Sequence, residues 1–342
     1  MTQSTLLKHR RYVACILFLL GAVVGLHAEK VHIGDLYYEL NTTNRTAKVT
    51  YENTNSSTNY SSLPADVIIP TTVNLDNVDY TVTSIANRAF AYCKSLQSIS
   101  IPATVTTMGE TFSDKYVSPF YDCTSLKTVR FEDSDDEIKL PCNNSYSNNA
   151  SPLFRGSPLK EVYIGRNIKY FNYNSQRPGV YGYSAFYNQP ELTKVSIGPK
   201  VTEIPPYLFY DNPSLTLMNL PNVKTIGKSA FESCSKLTTL NIGNALETVG
   251  DRAFYGCTNV TKLTLPDAIN KIGSEAFSGC TSVTEITVGS GLKEIGSQGF
   301  YNCGSLTALV LPSGFTTMGE GAFMNCKKLT IAQLGESLTA IP

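Results

Sequence analysis

The chain has no tryptophan and only three histidines among its 342 residues. The histidines are His9, His27 and His32, and the first two fall in a stretch that reads as removable. A Ser-His-Asp or Cys-His site would have to use His32 alone, at the very start of the processed chain, which argues against nucleophilic catalysis. The nine cysteines never stand two to four residues apart, so the ligand spacing of a zinc site is missing. A carboxylate pair could still hydrolyse sugars, but most acids, such as Asp251, Glu275 and Glu294, occupy variable, exposed positions of a repeat. Charge is sparse: 16% of residues, 28 basic against 28 acidic. Nucleic-acid binders need a cationic face, and none is legible here. Long apolar runs are also missing beyond the first 28 residues, which leaves no transmembrane segment in the processed chain. These absences read as a non-enzyme with no cofactor and no metal.

Residues 1–28 read as a signal peptide. Lys8, His9, Arg10 and Arg11 form a basic start, Tyr12 to Leu26 is apolar but short for a membrane span, and Leu26-His27-Ala28 ends in a small residue suited to cleavage. Cys15 lies at the front of the apolar run, whereas a lipid-attachment cysteine would lie behind it. Cleavage removes Lys8, Arg10 and Arg11 and no acid. The remainder carries 28 − 3 = 25 basic against 28 acidic residues, a net charge of −3. The expected destination is outside the cell, secreted or at its surface.

What is abundant is repetition. Gly250, Ala253, Phe254, Cys257, Val260, Leu263 and Leu265 recur 23 residues on as Gly273, Ala276, Phe277, Cys280, Val283, Ile286 and Val288. Gly296, Phe300, Cys303 and Leu306 follow, then Gly319, Ala322, Phe323, Cys326 and Leu329. A fixed period of this length marks a solenoid, each unit being one coil that cannot bury its own apolar face. Leu240 with Ile242, and Leu263 with Leu265, alternate with polar residues as the inward side of a short strand. Ala-Phe-x-x-Cys is expected to form a turn of helix or 3₁₀, with Phe filling the coil. Gly250, Gly273, Gly296 and Gly319 are expected at turns with positive φ.

The pattern Gly-x-x-Ala-Phe-x-x-Cys-x-x-Leu-x-x-Leu-x-Leu-Pro resembles the BspA-type leucine-rich repeat over roughly residues 84–342. That resemblance implies a cell-surface or secreted protein that adheres to a host or partner-cell protein. The expected fold is a leucine-rich-repeat solenoid of class α/β: mostly short parallel strands with helical or 3₁₀ turns, preceded by a small β-rich N-terminal cap over residues 29–83.

Ten phenylalanines mark ten coils: Phe90, Phe120, Phe154, Phe186, Phe209, Phe231, Phe254, Phe277, Phe300 and Phe323. The first three intervals are 30, 34 and 32 residues, the later ones 22 or 23. The excess is expected as insertions near 110–118, 132–151 and 166–183. Insertions in a solenoid map to loops, and loops on rigid scaffolds commonly carry binding.

The candidate contact residues come from these early coils. Outward strand positions are mostly small or polar, but Arg130, Tyr163 and Lys194 are large and belong to consecutive coils. The third insertion contributes Tyr170, Tyr173, Tyr181 and Tyr183. Clustered tyrosines on a loop either give an amphipathic contact surface or pack the loop onto its own coil. The partner expected is an extracellular protein, such as a host matrix or cell-surface protein. A glycan held by the tyrosine-rich insertion is the alternative. Glu132 to Glu137 packs five acids into six positions, read as a solvated charged loop in preference to a Ca²⁺ site. Seven coils place Cys three residues after Phe. Side chains in one column point the same way, whereas a disulfide needs facing Cβ atoms, so a ladder of free thiols is expected.

Overall fold

The computed structural model describes residues 30–52, 60, 62–109, 118–141, 153–171, 184–338 and 340. The expected signal peptide, Cys142, and Tyr173, Tyr181 and Tyr183 lie outside the described residues.

The N-terminal strands run without a break into the solenoid. β1 (Lys30–Ile33), β2 (Leu36–Asn41) and β3 (Thr46–Thr50) form an antiparallel meander. β4 (Asp66–Ile68) leaves it to join the first repeat. β5 (Thr72–Leu75) and β6 (Val78–Ile85) make a hairpin. Its turn residues, Asp76 and Asn77, hold φ of 50° and 65°, the left-handed pair that two-residue hairpins require. β6 pairs with β3 on one side and, on the other, with β8 (Thr107–Met108), the first strand of the solenoid's second column. The boundary expected at residue 83 therefore falls inside a strand.

Two columns of short strands then alternate along the chain. The first continues from β4 through β7 (Ser98–Ile101), β9 (Thr128–Phe131), β11 (Glu161–Ile164), β13 (Lys194–Ile197), β15 (Leu217–Leu220), β17 (Thr239–Ile242), β19 (Lys262–Thr264), β21 (Glu285–Thr287), β23 (Ala308–Val310) and β25 (Ile331–Gln333). The second comprises β8 (Thr107–Met108), β10 (Ile138–Leu140), β12 (Ile168–Tyr170), β14 (Glu203–Ile204), β16 (Thr225–Ile226), β18 (Thr248–Val249), β20 (Lys271–Ile272), β22 (Glu294–Ile295) and β24 (Thr317–Met318). Pairing within each solenoid column is parallel; β4-β7-β9-β11-β13 form one continuous five-stranded sheet.

The column phenylalanines fill the space between the strand columns. Their rings stack from Phe90 to Phe323, with centroids between 5.1 Å (Phe120 on Phe154) and 5.6 Å (Phe186 on Phe209) apart. Tyr60 continues the stack onto Phe90 at 5.8 Å, and its hydroxyl donates to the Thr50 carbonyl at 2.6 Å. Aromatic packing thus joins the N-terminal strands to the repeats.

The Ala-Phe-x-x-Cys segments are tight turns, and no helix occurs among the described residues. This corrects the helical or 3₁₀ expectation, and the hydrogen bonds give the reason. Within one coil, Ala253, Tyr255 and Cys257 donate three residues back, to Gly250, Arg252 and Phe254. The residues between them, Arg252, Phe254 and Gly256, donate instead to Ser274, Ala276 and Ser278 of the next coil. A helix keeps its donors within its own segment; here alternate donors stitch neighbouring coils together. Arg252 and Gly256 adopt φ of 56° and 72° to turn those groups outward.

A second correction concerns glycine. The left-handed residues stand two positions after Gly250, Gly273, Gly296 and Gly319, not at them: Arg252, Glu275, Gln298 and Gly321. The column glycines serve close approach instead. A Cβ at Gly273 would lie 2.5 Å from the Asp251 backbone nitrogen, and one at Gly319 2.2 Å from that of Ser297.

The strand ladder also runs through the first part of two expected insertions, since β10 and β12 lie within 132–151 and 166–183. Between them Arg166 is fully buried. Its guanidinium donates to Pro102 and Ala103 carbonyls at 2.8 and 2.6 Å, two coils earlier. Burial pushes its pKa down to about 10.

Candidate functional site

Strand alternation in the five-stranded sheet sends Ile99, Ile101, Val129, Phe131, Val162 and Ile164 into the core. The intervening residues face out, and parallel register lines them up in rows. One row reads Ile68, Ser100, Arg130, Tyr163, Ser196; the other reads Asp66, Ser98, Thr128, Glu161, Lys194. The three strand residues singled out from sequence therefore share one face.

Arg130 and Tyr163 form a fixed pair. The guanidinium carbon lies 3.9 Å from the Tyr163 ring centroid, a favourable cation–π arrangement. Arg130 Nε donates to Glu132 Oε1 at 3.0 Å, and Ser100 Oγ donates to the same oxygen at 2.6 Å. The Tyr163 hydroxyl donates to Asp133 Oδ1 at 2.7 Å. Burial pushes the Glu132 pKa upward, but the hydrogen bonds from Ser100 and Arg130 outweigh it and hold the carboxyl below its ordinary range. Burial and the Asp133 hydrogen bond both raise the Tyr163 phenol. Arg130 still leaves 43% of its side chain exposed. Lys194, in the neighbouring row, pairs with Glu161 and is 63% exposed.

The acidic run is the solvated loop expected, with Asp133, Asp135, Asp136 and Glu137 exposed, and several of its carboxylates also hold partners. Glu132 and Asp133 hold the Arg130–Tyr163 pair, Asp135 meets Lys200 at 2.8 Å, and Glu137 meets Lys169 at 3.6 Å. A Ca²⁺ ion would compete with these partners for the same oxygens. Among the described residues no cluster of three or more His, Cys, Asp or Glu side chains is placed to hold a metal ion.

The tyrosine-rich insertion divides. Tyr170 ends β12, and its ring packs against the hydrophobic core. This follows from the register, in which Ile168 and Tyr170 pair with Ile138 and Leu140. Tyr170 is thus a half-buried strand residue packed onto its own coil, the second of the two readings open for the insertion's rings. His32 stacks on Tyr37 with centroids 4.4 Å apart, on the N-terminal meander.

Sequence reasoning passed over an aromatic stripe along the turns. The residue after the column phenylalanine is tyrosine in five coils: Tyr121, Tyr187, Tyr210, Tyr255 and Tyr301. That recurrence is legible in the repeat alignment. Tyr187 stacks on Tyr210 at 5.6 Å, Tyr92 meets Tyr121 edge-on at 5.5 Å, and Arg252 covers Tyr255 at 3.8 Å. Arg252 also pairs with Glu232 and Glu275. Tyr187 with Tyr210, and Tyr92 with Tyr121, thus join neighbouring coils, whereas Tyr255 is covered from within its own.

The model of the BspA type leucine rich repeat region matches the chain in six copies, over residues 70–177, 154–261 and 247–342. No curated protein matches. Among solved structures, a leucine-rich repeat protein from Bacteroides ovatus is 22% identical, with 90% of this chain and 89% of that one covered and a TM-score of 0.38. A leucine rich cell surface protein from Faecalibacterium prausnitzii is 21% identical, covering 89% and 94%, with a TM-score of 0.36. A leucine-rich repeat protein from Eubacterium ventriosum is 16% identical, covering 91% and 89%, with a TM-score of 0.39. No helix among the described residues is long and apolar enough to cross a membrane.

Proposed function

The chain belongs to the BspA-type leucine-rich-repeat family, and from that premise we propose that it is a non-catalytic recognition protein, exported by its N-terminal signal and acting outside the cell by adhesion to a protein partner. The observation that carries this reading is the Arg130–Tyr163 pair. Interfaces draw most of their energy from a few Tyr, Trp and Arg anchors. Here one Arg and one Tyr are held against each other by Glu132 and Asp133, among small outward neighbours such as Ser98, Ser100 and Ser196. Anchors ordered before binding lose less conformational entropy on contact. Lys194 and Glu161 add a charged border one row away.

A protein partner is favoured over a glycan on the same geometry. A sugar ring would need an open aromatic face, and the Tyr163 face carries the Arg130 guanidinium. The Tyr170 ring packs on the core. The test is capture by residues 29–342 on an array of extracellular matrix proteins, cell-surface proteins and immobilised glycans. Retention of a protein, with no product released from it, is the expected result. Retention of glycans alone would overturn the reading.

A further inference from the structure

The five-stranded sheet begins with β4, whose outer edge carries no partner strand among the described residues. Among these, β4 bonds only β7. The Ala65 carbonyl and the Ile69 amide both point to β7, accepting from Ser98 at 3.0 Å and donating to Ser100 at 3.1 Å. Main-chain groups of a strand alternate sides, so those of Asp66 and Ile68 point away from β7. Beyond that edge lies a groove of about 430 Å³, floored by Ile33, Leu36 and Val73 and bordered by Asp35, Asp66 and Ile68. Ile68 is 80% exposed. Opposite, a Cβ at Gly34 would meet nothing within 4 Å. The described lining residues include two acids, Asp35 and Asp66, and no base.

We propose that this groove is a strand-addition site for an extended, cationic segment of a partner protein, which pairs with β4 and extends the sheet that carries Arg130 and Tyr163. Three features of the groove fix the chemistry of the occupant. The free main-chain groups of Asp66 and Ile68 call for an extended backbone, the pairing used in strand augmentation. The apolar floor takes alternate side chains of that strand. Asp35 and Asp66 select Lys or Arg at the flanking positions. β4 is three residues long, so the paired stretch is short and one peptide of about seven residues spans it at roughly 3.3 Å per residue. Edge strands are ordinarily blunted by Lys or inward-pointing charge; β4 carries Asp and an exposed Ile instead.

The experiment is fluorescence anisotropy on the chain from residue 29 to 342, with a labelled heptapeptide alternating Lys and Val. Its Glu–Val counterpart and two N-methylated versions of the Lys–Val peptide, one for each alternate set of amides, complete the series. The Lys–Val peptide is expected to bind at least about tenfold tighter than the Glu–Val peptide. Methylation of one amide set is expected to abolish binding, and methylation of the other to spare it, because only one set faces β4. Asp66→Lys with Ile68→Lys should remove binding, and Asp35→Lys, which leaves β4 untouched, should weaken it. Thermal melts confirm that each variant folds. Equal binding of both charge types, indifference to both methylation patterns, or full binding by both Lys variants would overturn the proposal. So would concentration-dependent self-association of the wild type that the Asp66→Lys, Ile68→Lys variant abolishes, since a second copy would then fill the groove.

Discussion

The Cys280 thiol donates to the Phe254 carbonyl of the preceding coil, with Sγ 3.4 Å from the oxygen. Cys257 and Cys303 do the same to Phe231 and Phe277. Where the column lacks cysteine, Ser157 donates to Phe120, and Asn212 to Phe186. The column is therefore a column of small donors that reach one coil back. The thiols were expected to be free, and the seven described ones are; their role as donors adds to that of apolar fillers.

Free, buried thiols have a measurable signature. Burial pushes Cys93, Cys234 and Cys280 up to about 12, which suppresses the reactive thiolate near neutrality. The half-buried Cys326 differs, because a hydrogen bond with Cys303 lowers its pKa. Alkylation of the native protein at neutral pH should therefore modify Cys326 first among the column thiols. After denaturation without reductant about eight thiols should titrate, the nine of the sequence less Cys15. Two or fewer would mean that the columns are bridged.

The phenylalanine stack predicts a large cost for a single truncation. Phe277 lies between Phe254 and Phe300, 5.2 Å from each, and is 1% exposed. Phe277→Ala should lower stability by roughly 3–5 kcal/mol through lost burial and the cavity left behind. Denaturant unfolding measures it, and a loss under about 1 kcal/mol would show that the stack is not the core.

Two glycine substitutions separate close packing from backbone freedom. Gly273→Ala places its methyl 2.5 Å from the Asp251 nitrogen and should destabilise by about 1–3 kcal/mol. At Gly304 a Cβ meets nothing within 4 Å and φ is not left-handed. Gly304→Ala should be neutral or stabilising by up to about 1 kcal/mol. Equal effects in thermal melts would remove close approach as the reason for the column glycines.

The site should also carry an acid-sensitive contribution. The folded-state pKa of Glu132 lies below its ordinary 4.5, with the upward push of burial outweighed by Ser100 and Arg130. Stabilisation from such a group is present above the unfolded-state value and lost as pH falls through the folded-state value. The Tm of the wild type should therefore drop below about pH 4.5, and Glu132→Gln should drop less over that window. Parallel profiles for the two proteins would show that the carboxylate does not hold the pair.

The repeat made the coil legible because burial imposes it: Phe, Cys, Leu and Gly recur wherever stacking leaves one solution. The turn conformation was not legible in the same way. Ala-Phe-x-x-Cys fits a helical turn by composition, and only the alternate donation of Arg252, Phe254 and Gly256 to the next coil decides against it. The positions of Arg130 and Tyr163 on one outward row followed from strand alternation and register. Their locking by Glu132 and Asp133 did not, because those acids belong to a charged run that sequence alone reads as solvated. Which of its two readings Tyr170 takes was not legible, because the longer early coils hide where the second strand column ends.

The most direct measurement is the affinity of a captured protein partner for residues 29–342 and for Arg130→Ala with Tyr163→Ala, each shown to be folded by circular dichroism. Lys262→Ala, an exposed strand residue of a later coil, is the control. Loss of two anchors should weaken binding by about thirtyfold or more, while the control binds as the wild type does. A specific partner that binds all three proteins equally would contradict recognition through the Arg130–Tyr163 face.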